Sequence, residues 1–91
     1  MTARAPRDWL LTTLADKLPT GSPNARLTPE RIALTVELVI WDWHGTGDPT
    51  PDSRADAQAL RDELARIPHN TGDTRAEYAA RLRLAAKGVM L

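Results

Sequence analysis

The apolar run over residues 32–43 constrains this chain most, because it fits two incompatible structures. Ile32, Leu34, Val36, Leu38 and Ile40 alternate with Ala33, Thr35, Glu37, Val39 and Trp41, a two-residue period rich in β-branched side chains that suits a strand. The same run follows Thr28-Pro29-Glu30. Thr as N-cap, Pro at the first helical position and an acid in the first turn start a helix. No second strand candidate exists elsewhere to pair with the first, and a lone strand leaves its backbone hydrogen bonds unmade. A helix over residues 28–44 is therefore expected. The run is too short, and with Thr35, Glu37 and Asp42 too polar, to span a bilayer, which takes about 20 apolar residues.

Three further segments read as helices. In 6–18, Pro6 suits the first turn, Asp8 the positive end and Lys17 the negative end, while Trp9, Leu10, Leu11, Leu14 and Leu18 form an apolar stripe. Pro19-Thr20-Gly21-Ser22-Pro23-Asn24 then breaks the chain. In 53–67, Ser53-Arg54-Ala55-Asp56 resembles a capping box with Asp as its acid, and Ala57, Leu60, Leu64 and Ile67 recur as one seam. Asp62 and Arg66 stand four apart as a surface pair, and Pro68 ends the segment. In 74–88, Thr74-Arg75-Ala76-Glu77 is a full capping box, Tyr78, Leu82, Ala85 and Val89 share a face, Glu77 can reach Arg81, and Gly88 ends the helix. Val89, Met90 and Leu91 form an apolar tail that docks or meets a partner. Short loops between such helices predict an all-α fold, a small antiparallel bundle of four helices forming one domain over residues 1–91. The near alternative is a three-helix core with a loosely docked first helix.

Composition narrows the function. Twelve basic residues balance twelve acidic ones, which argues against a dedicated nucleic-acid binder or an electrostatic membrane anchor and leaves little repulsion between copies. Cysteine is absent, removing disulfides, thiolate metal sites and thiol nucleophiles. The first residues contain no signal-peptide hydrophobic region, so a cytoplasmic location is expected. Arginine outnumbers lysine and alanine is abundant, the bias of a GC-rich bacterial genome.

Few residues invite chemistry. His44-Gly45-Thr46-Gly47-Asp48 and His69-Asn70-Thr71-Gly72-Asp73 share the pattern His-x-Thr-Gly-Asp. Together they could be imagined as metal ligands. However, they flank a helix of about 15 residues, which separates them by roughly 22 Å, and each alone offers fewer than three ligands. Both read as turns preceding capped helices, where these residue types serve the backbone. Phosphate binding is disfavoured by Asp52, Asp56, Asp73 and Glu77 at the helix starts. His44 with Asp42 or Asp48 is the only local acid–base candidate, and it lacks a nucleophile. Neither catalysis nor a metal or other cofactor is expected.

Helical periodicity points instead to a surface. At 100° per residue, Ile32, Val36, Val39 and Trp43 cluster within about 60°, with Ala33 and Ile40 at their edge, as the core face. Glu30, Glu37 and His44 form one polar stripe, and Arg31, Thr35 and Asp42 another. Between them lies a second apolar strip of Leu34, Leu38 and Trp41. It is either covered by another helix, making this helix central, or exposed as a site for another protein or a second copy, with Trp41 as anchor. The expectation is a non-enzymatic interaction module such as an adaptor, accessory subunit or small regulator. The alternative is a nucleic-acid-binding regulator using Arg75, Arg81, Arg83 and Lys87 of the last helix.

Overall fold

Three of the helices begin where a threonine side chain supplies an acceptor for a free N–H group. The computed structural model describes residues 4–70 and 72–88, with helices α1 (Arg7–Lys17), α2 (Pro29–His44), α3 (Pro51–Ala65) and α4 (Arg75–Ala86). Thr28 caps α2, accepting from the Arg31 N–H at 3.2 Å. Thr74 and Glu77 form the expected reciprocal box at the start of α4. Pro6 turns out to be the N-cap of α1 rather than part of its first turn, and it offers no side-chain bond.

The start of α3 differs from expectation. Ser53 is not the N-cap; Thr50 is, with Ser53 as the N3 partner returning a hydrogen bond to the Thr50 N–H at 2.8 Å. The helix thus begins at Pro51, two residues early, and Asp56 is freed from any capping role. The device is the Thr-Pro-acid start of α2 repeated as Thr50-Pro51-Asp52, with Pro supplying a preset φ where no N–H is needed.

Packing makes α1 the axis of the bundle. Leu10, Leu11, Leu14, Ala15 and Leu18 are all buried, a face wide enough for α2, α3 and α4 each to pack on it. The first helix is therefore the centre, not a loosely docked addition. Val36, Val39 and Ile40 of α2, Leu60 of α3, Ile67 just beyond it, and Tyr78, Ala79, Leu82 and Ala85 of α4 complete one apolar cluster. α2 also packs on α3, whereas α4 meets α1 alone among the helices. The α1–α2 loop compensates by bonding to the start of α4: Leu27 donates to the Asp73 carbonyl at 2.9 Å, and the N–H groups of Arg75 and Ala76 donate to Ala25 and Pro23 at 3.0 Å each. Val89, Met90 and Leu91 lie outside the described residues. Among those described, no helix is long and apolar enough to cross a membrane.

Tyr78 shows how this thin core handles a polar group. Its hydroxyl donates to the Ile67 carbonyl, closing the turn after α3, and Arg81 lies over its ring. Burial pushes the phenol up to about 12, against the Arg81 charge and with help from Asp73. The folded state thus holds this proton more tightly than the unfolded chain. The associated stability is intact below pH 10 and lost as pH rises toward 12. Tyr78 is the sole tyrosine, so an absorbance titration should show tyrosinate forming only near 12 and together with loss of helicity. Titration near 10 with the helices intact would contradict the burial.

Candidate interaction surface

α2 is anchored at its C-terminal end. Gly45 adopts φ 72° and donates to the Trp41 carbonyl at 2.8 Å, a left-handed stop that glycine makes without strain. On its core side, Trp43 meets Trp9 edge to face, with centroids 4.9 Å apart at 60°. The core face is displaced from the wheel expectation. Ala33 is exposed and Thr35 is buried, its hydroxyl satisfied by the Arg31 carbonyl at 2.6 Å. α1 approaches from the Thr35 side and so covers a residue expected in a polar stripe.

The second apolar strip is uncovered. Leu34, Leu38 and Trp41 are 48%, 43% and 55% exposed. Because α1, not α2, is central, no helix lies over this face. Beside it, α2, α3 and their connecting loop enclose an open groove of about 510 Å³. Ile40, Ser53 and Ala57 line it together with Trp41, Glu37, Arg54 and Arg61. At its end Gly47 comes so close to Trp41 that an added Cβ would stand 3.0 Å from the indole ring. Trp41 is therefore seated on the loop as well as exposed, and it links strip and groove into one surface.

Beneath this surface lies a buried polar node. Asp56 is fully buried, and its carboxylate accepts from the Ala5 N–H at 3.0 Å, from Arg4, and meets His44 Nε2 at 2.8 Å. His44 is the residue expected beside Asp42 or Asp48, but neither is its partner: Asp42 pairs with Lys17 at 2.6 Å and Asp48 engages Thr46 through its N–H. Burial alone would raise the Asp56 carboxyl, but the Ala5, Arg4 and His44 hydrogen bonds outweigh it, and the net shift is downward from 3.8. The His44 side chain is itself only 3% exposed, so the node ties the N-terminal segment, the end of α2 and α3 together and offers no access to a substrate.

The second His-x-Thr-Gly-Asp loop serves the fold in its own way. His69 meets Tyr78 edge to face at 6.0 Å, and Asp73 accepts from the Asn70 N–H at 2.6 Å and pairs with Arg81. Glu77 is engaged in the capping box, so the Glu77–Arg81 pair does not form. Likewise Asp62 accepts from Gln58 and Arg66 turns to Glu63, replacing the Asp62–Arg66 pair. No three His, Asp or Glu side chains converge as a metal site among the described residues.

Two of the four basic residues at α4 are committed. Arg81 is held by Asp73, the Pro68 carbonyl and Tyr78, and Arg83 by Asp16 at 3.1 Å and the Ala15 carbonyl at 3.3 Å. Arg75 Nε and Nη1 are buried without a partner among the described residues. Lys87 is exposed at the C-cap. These four do not make a continuous free basic face. Sequence reasoning missed Asp56, Gly47 and the groove arginines. The repeated Thr-Pro start could have placed α3 correctly and released Asp56 from the cap; the others had no local signal.

Fold and surface together define a four-helix all-α domain with one exposed apolar strip joined to a groove. No family model, curated protein or solved structure matches the chain.

Proposed function

We propose that this chain is a non-enzymatic protein-interaction module, of the adaptor, accessory-subunit or small-regulator kind, that binds another protein chain through Leu34, Leu38 and Trp41. The observation that carries the reading is their exposure in one strip on a helix whose opposite face is core. Leu84 of α4 is the other large apolar side chain exposed among the described residues. Contiguous apolar residues on a small domain mark contact sites more reliably than scattered ones. Tryptophan is the side chain most enriched at binding hot spots, and an indole already seated against Gly47 loses little freedom on binding. Nucleic-acid recognition is the weaker reading, since Arg81 and Arg83 would have to abandon Asp73 and Asp16 to reach phosphates.

Replacing Leu38 or Trp41 by Asp should weaken complex formation by about 2 kcal/mol or more, measured by titration against the partner, with helicity by circular dichroism intact. Unfolding of either variant, or full binding by both, would remove the strip from the function.

A further inference from the structure

The charges flanking the strip form a set that one copy leaves unused. Glu30 and Glu37 of α2 make no ion pair among the described residues, and neither do Arg54 and Arg61 of α3. Arg54 and Arg61 stand seven residues apart, two turns along one edge of α3. Both line the groove whose opposite wall carries Glu37 and Trp41. The surface thus runs from two cations without an ion pair, across a groove of mixed lining that also holds Asp48 and Gln58, to Glu37 and Glu30 and then the exposed strip. Each ionic set is what the other needs.

We infer that this face closes on a second copy of the same chain, a step that rests on reading the strip as a docking surface. In an antiparallel pair of α2 helices about a two-fold axis near Glu37 and Leu38, Leu34 of each copy comes opposite the partner's Trp41. A two-fold brings like edges together, so the acidic edges of the two helices would face each other. The groove arginines lie just beyond those edges, and Glu30 and Glu37 of one copy then pair with the partner's Arg54 and Arg61. A stable interface takes about 800 Å² from each partner. Three half-exposed side chains fall well short of that, so the contact must take in the groove wall where the cations stand. A second copy is favoured over a partner of one dominant charge because the face carries both members of each pair and the chain has zero net charge.

Sedimentation equilibrium on the full chain tests this. Wild type should rise to twice the monomer mass with a Kd in roughly the micromolar range, and added salt should weaken it. Leu38→Asp should stay monomeric with its helicity intact. R54E/R61E and E30R/E37R should each weaken self-association about tenfold or more, and an equimolar mixture of the two variants should associate again, because each supplies the charges the other lost. A wild type monomeric to about millimolar concentration, or a dimer indifferent to both charge reversals, overturns the second copy as occupant. If such a monomer still loses a different protein partner on Leu38→Asp, only the second copy is refuted. If the dimer survives Leu38→Asp, the strip itself is refuted as a docking surface.

Discussion

Asp56→Ala should cost this domain about 3 kcal/mol and lower its melting temperature by roughly 15 °C. The carboxylate is fully buried, and its removal strands the Ala5 N–H without its acceptor and takes away the partner of His44 Nε2. Each orphaned buried group costs about 1–3 kcal/mol. Arg4 adds little, because its half-exposed side chain regains water. Asp56→Asn keeps the shape and one acceptor oxygen, so it should recover part of the loss. The sign of the pH dependence follows from the lowered carboxyl. Its contribution is present above pH 3.8 and vanishes as pH falls through the lower folded value. Wild type should therefore lose stability below about pH 3.8 more steeply than Asp56→Asn. Urea melts across this range would decide it, and equal stability of wild type and Asp56→Ala would show that the node contributes nothing.

Leu14→Ala should be at least as damaging, at about 3–4 kcal/mol. Leu14 is completely buried in the middle of α1, the helix on which the other three pack. Truncating it opens a cavity with no flexible neighbour to fill it, because Leu11, Leu18, Leu60 and Leu82 around the same core are themselves enclosed. A domain of this size is stable by roughly 5–14 kcal/mol, so this one change removes a large share. Leu38→Ala, the same chemistry on the exposed strip, should shift stability by no more than about 0.5 kcal/mol. Comparable losses at both positions, read from chemical denaturation, would mean that Leu38 is packed like core.

The helices were legible because their causes are local. Thr28-Pro29-Glu30 starts a helix wherever it stands, and the lack of a pairing partner removed the strand that residues 32–40 otherwise resemble. The shift of α3 to Pro51 was legible too, since Thr50-Pro51 repeats the Thr28-Pro29 device; the Ser53 to Asp56 spacing hid it by imitating a capping box. Thr35 and Ala33 were misplaced for a different reason. A wheel locates apolar residues around an axis but not the direction from which a neighbour arrives, and α1 comes from the Thr35 side.

The site divides along the same line. Leu34, Leu38 and Trp41 could be seen as one strip from their spacing alone, because α-helical period is a property of the backbone. Whether anything covers the strip depends on which helix is central. That follows from the doubled apolar face of α1 and the total of buried contacts, not from any residue of α2. The groove, the seat of Trp41 on Gly47 and the approach of Arg54 and Arg61 to Glu37 join residues from separate elements. His44 likewise finds Asp56 across the α2–α3 connection instead of its chain neighbours. Sequence by itself determined the four helices, the caps of α2 and α4 and the two-sided apolarity of residues 32–43, because capping and periodicity act within a few residues. Tertiary structure alone decided that α1 is the axis, that Asp56 is buried and that the strip faces outward, because those outcomes depend on the packing of helices far apart in the chain.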